Sequence, residues 1–116
     1  MWKYKDQFVF GHPYIFIHPF KQQAVKHLVD NIPAWVDYAI VFGSAIMPYC
    51  RHDSDIDIAL IGNPSGETNL DNLRIDNQSY DFLKYKSVNE LKQKATTSRQ
   101  NVEKDIYERG VVVFER

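Results

Sequence analysis

Two apolar runs separated by a short polar connection constrain this chain most. The first, Ala39-Ile40-Val41-Phe42, ends in Gly43-Ser44. The second, Ile58-Ala59-Leu60-Ile61, opens with Asp55-Ile56-Asp57. The first reads as a largely buried strand. The second is apolar on both faces beyond Asp57, the pattern of a central strand whose carboxylates sit at its opening end. Side chains alternate along a strand, so Asp55 and Asp57 share one face at the opening end of the second strand, predicted over 53–61. Like charges held side by side repel, and a divalent cation is the natural reason to keep them there.

The other elements fall around this pair. Residues 7–18 flank the turn signal Gly11-His12-Pro13 with aromatic and β-branched residues, which predicts a small N-terminal hairpin. Helical spacing follows over 20–32. Phe20, Ala24, Val25, Leu28, Val29 and Ile32 form the apolar stripe, and Lys21, Gln22, Lys26 and Asp30 the polar face. Pro19 suits the helix start and Pro33 its end. A strand is expected over 36–42, then a short helical turn over 44–50. A short helix is expected over 68–75 and a third strand over 78–85. Ser87 with Glu90 is a capping-box signature that opens one long helix or two, with Thr96-Thr97-Ser98 as the weak link. Gly110 closes that segment, and 111–114 reads as a last strand. The fold class is therefore α+β: a small mixed sheet flanked by helices, with an N-terminal β-hairpin extension.

Composition narrows the classes. At 116 residues and 44% hydrophobic, the chain has material for one ordinary core, so it reads as a single domain, 1–116, with 1–18 as the hairpin and 19–116 as the core. A net charge of −1 argues against a protein that coats nucleic acid. One cysteine, Cys50, excludes an internal disulfide and fits a reducing compartment. No apolar run approaches the roughly 20 residues needed to span a membrane, and the N-terminus lacks signal-peptide features. The expectation is a cytoplasmic protein without a membrane segment.

Asp81, on the third strand, would join Asp55 and Asp57 as a third carboxylate. Hard oxygen ligands suit Mg2+ or Mn2+ and leave coordination positions for phosphate oxygens. Gly43 lets backbone approach a phosphate, and Ser44 adds a hydroxyl and an N–H. Phosphates, a divalent metal and a further carboxylate together describe nucleotidyl transfer, with Asp81 also able to accept the proton of an attacking hydroxyl. His12, His18, His27 and His52 show no metal-ligand spacing.

Gly43-Ser44, ten residues, then Asp55-Ile56-Asp57 resembles the signature of the DNA polymerase β-like nucleotidyltransferase superfamily, and within it the minimal, single-domain MNT group. The order of elements over 20–116 agrees with that resemblance. It implies a nucleotidyltransferase fold, with Asp55, Asp57 and Asp81 as catalytic and metal-binding residues. It also implies Gly43 and Ser44 at the triphosphate, Mg2+ or Mn2+, and ATP as co-substrate. Many MNT proteins carry an arginine-rich segment ending in Arg-Gly after Gly-Ser. Here that place reads Ala45-Ile46-Met47-Pro48, and Arg51, or else His52, would reach back towards phosphates. The chain holds little beyond the catalytic module, so the expected acceptor comes on another molecule. The group usually works beside a helical HEPN-domain protein in toxin–antitoxin pairs, which implies adenylylation of a partner protein by an antitoxin. Two alternatives stay open: a binding module that neutralises its partner by complex formation, and a small-molecule (antibiotic-type) nucleotidyltransferase acting as a homodimer.

Overall fold

The two apolar runs pair with each other, and the rest of the sheet grows outward from them. In the computed structural model, which describes residues 2–3, 16–66, 69–97 and 99–116, β2 (Val36–Phe42) and β3 (Ile56–Gly62) are antiparallel. Phe42 faces Asp57, Val41 faces Ile58 and Ile40 faces Ala59. Beyond β2 lies β5 (Val111–Glu115), antiparallel to it, and beyond β5 the two-residue β1 (Trp2–Lys3), parallel to β5. On the other side β4 (Tyr80–Tyr85) runs parallel to β3. The order is β1-β5-β2-β3-β4, a mixed sheet, and the α+β reading holds.

Both faces are covered, as the unbroken apolar runs require. On one face Ala39, Val41, Ile56, Ile58 and Leu60 pack against Ile17 and against Ala24, Val25 and Leu28 of α1 (Pro19–Asp30). On the other, Ile40, Phe42, Ala59 and Ile61 pack against Leu91 of α2 (Val88–Ala95) and Ile106 of α3 (Val102–Arg109). Burial of this kind contributes roughly 1.5–3 kcal/mol per large aliphatic side chain. No helix among the described residues is long and apolar enough to cross a membrane.

Several expectations are corrected in detail. Lys21, assigned to the polar face of α1, is fully buried, whereas Phe20, assigned to the apolar stripe, is 39% exposed. Lys21 sits one helical turn before Ala24 and Val25, so its position, not its chemistry, decides its face. The second strand opens at Ile56 rather than 53, which leaves Asp55 ahead of it. The turn after β2 is a 3-10 turn over Gly43–Ile46, and within the described part of the 68–75 segment, 69–75, only the 3-10 turn Asp71–Leu73 forms. Residues 4–15 of the expected hairpin lie outside the described residues. Phe16, Ile17 and His18 lead into α1 without forming a strand.

The C-terminal helical segment is two helices. Asn101 caps the second, its side chain accepting from Lys104 N at 2.7 Å while Nδ2 donates to Lys94 O at 3.1 Å. One polar side chain thereby ends α2 and starts α3. Ser87 Oγ accepts from Glu90 N as the capping signature predicts, but Glu90 Oε2 returns to Lys86 N, one residue earlier than in the usual box. Gly110 closes α3 without a left-handed conformation (φ −59°). Its need is space: a Cβ there would overlap Ile106 O and Ile40 Cγ2. Gly110→Ala is therefore expected to cost about 1–3 kcal/mol, read as a lower urea midpoint at unchanged slope. An unchanged midpoint would show that α3 slides freely over β2.

Candidate active site

The end of β2 and the starts of β3 and β4 meet at one end of the sheet. β2 stops at Phe42, and Gly43 turns the chain with φ +72°, a conformation side chains rarely adopt. Phe42 pairs with Asp57, so the turn falls directly against that carboxylate. A Cβ on Gly43 would overlap Asp57 Oδ2 and lie 3.2 Å from Asp57 Cγ. Glycine is thus required twice, by backbone angle and by the neighbouring acid. Ser44 follows, half-buried, its carbonyl accepting from Met47 N at 2.9 Å.

The register of β3 with β4 brings in the third acid. Ile56 pairs with Tyr80 and Asp57 with Asp81, so Asp57 and Asp81 are direct cross-strand neighbours on one face. Asp55 precedes β3 and is exposed, as is Asp81; Asp57 is half-buried. Burial pushes the Asp57 carboxyl up from 3.8 to about 6, and the charges of Asp81, Asp55 and Asp105 push the same way. Asp105, on α3, is the acid that the sequence reading missed. Nothing in its spacing marks it; only the packing of α3 over this face brings its charge to bear on Asp57.

Of the three expected carboxylates, strand register brings Asp57 and Asp81 side by side, while Asp55 lies ahead of β3, and the three do not form a closed ligand set. Among the described residues, no three His, Cys, Asp or Glu side chains stand ready to hold a metal ion together. Mutual repulsion favours spread carboxylates. The donors nevertheless fit a hard divalent cation: they are all carboxylates, and Asp57 is held up by like charges that a cation would compensate. Arg51 is placed elsewhere. It is exposed, with Nε 3.6 Å from Asp53 Oδ1 and its N–H donating to Ser54 Oγ at 3.0 Å. The His52 ring stacks on Phe20 at 3.5 Å between centroids, His18 caps α1, and a ring nitrogen of His27 lies 3.0 Å from Asn72 O. His12 lies outside the described residues.

A mixed sheet with a Gly-Ser turn set against paired strand-borne carboxylates defines a nucleotidyltransferase-type domain. The family model Polymerase beta, Nucleotidyltransferase, matches residues 23–116, and the chain belongs to that family. Nucleotidyl transfer is the chemistry of the family, which generally uses a nucleoside triphosphate and a divalent metal. No protein of curated function matches the chain significantly.

The raised Asp57 value makes a signed prediction. Folded Asp57 holds its proton more tightly than unfolded Asp57, so the contribution of this one group to stability is full below pH 3.8 and is lost as pH rises through about 6. Asp57→Asn, which stays neutral, is expected to be more stable than the natural chain at neutral pH. The gain is about 1 kcal/mol once solvent screening is allowed for. It should vanish on acidification below the ordinary carboxylate value. Urea unfolding at both pH values checks this; a gain that persists in acid would show that charge is not its cause.

Proposed function

We propose that this chain is a metal-dependent adenylyltransferase that transfers AMP from ATP to a hydroxyl of a partner protein. The observation that carries this reading is the placement of Gly43 backbone against Asp57, with Asp81 in register beside it. Asp55 and Asp57 would hold Mg2+ or Mn2+, with phosphate oxygens and water as the remaining ligands. The bound cation would supply charge neutralisation at the triphosphate and orientation of the reacting oxygens.

The protein's own groups have separable roles. Gly43 leaves room for phosphate beside its backbone, and Ser44 offers a hydroxyl and an N–H to the same group. The acceptor hydroxyl attacks the α-phosphorus of ATP; a new P–O bond forms, the bond to the bridging oxygen breaks, and pyrophosphate leaves. Asp81, exposed at the start of β4, takes the hydroxyl proton. Arg51 would leave Asp53 to meet phosphate: their surface pair is 3.6 Å long and highly exposed, so it is cheaply broken.

The partner belongs to the same reading. The resemblance to the MNT group supports a helical HEPN-domain protein as acceptor and an antitoxin role for this chain. The exposure of Asp55 and Asp81 is compatible with an acceptor carried on another molecule. With labelled ATP and Mg2+, AMP is expected on the co-encoded helical partner, and Asp55→Asn should cut transfer about a thousandfold, the equivalent of several kcal/mol of lost charge stabilisation. Failure of the intact protein to label that partner would sink the adenylyltransferase reading.

One observation favours a second reading, a binding module that masks its partner. The neighbouring charges acting on Asp57 are those of acids alone, and Arg51 is engaged with Asp53. On that reading Asp55→Asn combined with Asp57→Asn leaves both the complex and neutralisation intact. Loss of neutralisation with the complex preserved decides for chemistry.

A further inference from the structure

Lys21 is the one charged residue that is fully buried among the described residues, and the proposed chemistry does not use it. Its Nζ donates to His52 O at 3.0 Å and to Gln78 Oε1 at 2.7 Å. These acceptors lie in two segments far apart in sequence. His52 stands three residues ahead of Asp55, and Gln78 three residues ahead of Asp81. Further bonds tighten the same junction. Ile56 N donates to Ser79 O at 2.8 Å, Gln78 Nε2 reaches Phe20 O at 3.4 Å, and the Phe20 ring stacks on His52. At the start of the same helix, His18 N donates to Ala45 O at 2.7 Å, in the Gly-Ser turn. The first turn of α1 therefore holds all three segments that bring Gly43, Asp55 with Asp57, and Asp81 to the site.

Burying an ammonium is costly, and both of its acceptors here are neutral. An apolar side chain of equal length would fill the space more cheaply but would leave the His52 carbonyl and the Gln78 amide oxygen without their donor. The bonds also reach across elements rather than within α1, so what they fix is the relation between loops. We infer that Lys21 is a positioning residue: its buried ammonium sets the leading ends of β3 and β4 against each other and so fixes the spacing of Asp55 and Asp57 from Asp81. Lys21 lies just before the span matched by the family model, residues 23–116. The inference rests on the metal-dependent reading only for its consequence at the site.

The test uses the full chain with Lys21→Met, which keeps length and removes the donors. Two readouts are needed: hydrogen exchange by segment, and titration with Mn2+ alone. Exchange in 51–57 and 78–81 is expected to rise about tenfold, the scale of one lost charged hydrogen bond, while β2 and β5 stay protected. Mn2+ affinity should fall by about the same factor, since ligand spacing has been loosened. Gln78→Leu, which removes one acceptor at a half-buried position, should reproduce part of both effects, and it carries the test alone if Lys21→Met does not fold. Unchanged exchange at those segments, or an equal rise everywhere, overturns the inference. So does a local rise with Mn2+ affinity intact. A natural chain that binds no Mn2+ counts instead against the metal-dependent reading, and the exchange result still decides the role of Lys21.

Discussion

The antiparallel pairing of β2 with β3 is the constraint from which the rest follows. It sets Phe42 opposite Asp57, so the chain must turn at Gly43 with a carboxylate already against its backbone. A side chain at 43 is excluded by that acid as well as by the backbone angle. With β5 on one side and β4 on the other, β2 and β3 lie inside the sheet and are largely buried on both faces, and this gives the acids a rigid base. Packing and chemistry are joined here. The apolar positions that hold the two strands together also determine where the first acid stands relative to the turn.

Electrostatics then opposes the packing. Asp57 is half-buried and faces the fields of three other carboxylates, and its affinity for a proton rises accordingly. Folding alone does not favour such a cluster; it is stabilised when a cation or protons neutralise it. A group held near 6 is also one from which a binding cation displaces a proton close to neutral pH. The acidic end of the sheet is thus a place where stability is given up, and on the proposed function that loss would be returned as affinity for a cation.

The central strands were legible because their apolar runs are continuous, and the nearness of Asp55 and Asp57 because they stand one residue apart where the second run opens. Asp81 was legible through β4, whose register with β3 bears it out as the cross-strand neighbour of Asp57. Other features were hidden for definite reasons. Lys21 stood on the apolar stripe by spacing, but its charge outweighed its position in the reading. Asp105 acts on Asp57 only through the way α3 packs, which no local pattern encodes. Asn101 resembles any polar loop residue until its bonds to Lys94 O and Lys104 N are seen. Gly110 was placed correctly at a helix end, yet for the wrong reason: it is kept by crowding against Ile40 and Ile106.

The two sides of the acidic cluster differ in mechanical support. β3 is a central strand with almost every residue buried, whereas β4 is an edge strand among the described residues and only Tyr85 of it is buried. Among its described residues, the connection into β4 carries the 3-10 turn Asp71–Leu73, which sets Leu73 in the core, and Arg74 lies over the Tyr80 and Phe82 rings. Local stability follows burial and contact, so β4 is the softer of the two. Asp57 is then a fixed jaw and Asp81 a compliant one. If the proposed cation binds between them, β4 would absorb most of the displacement, and the stiffness of that edge strand would govern how well cations of different radius are told apart.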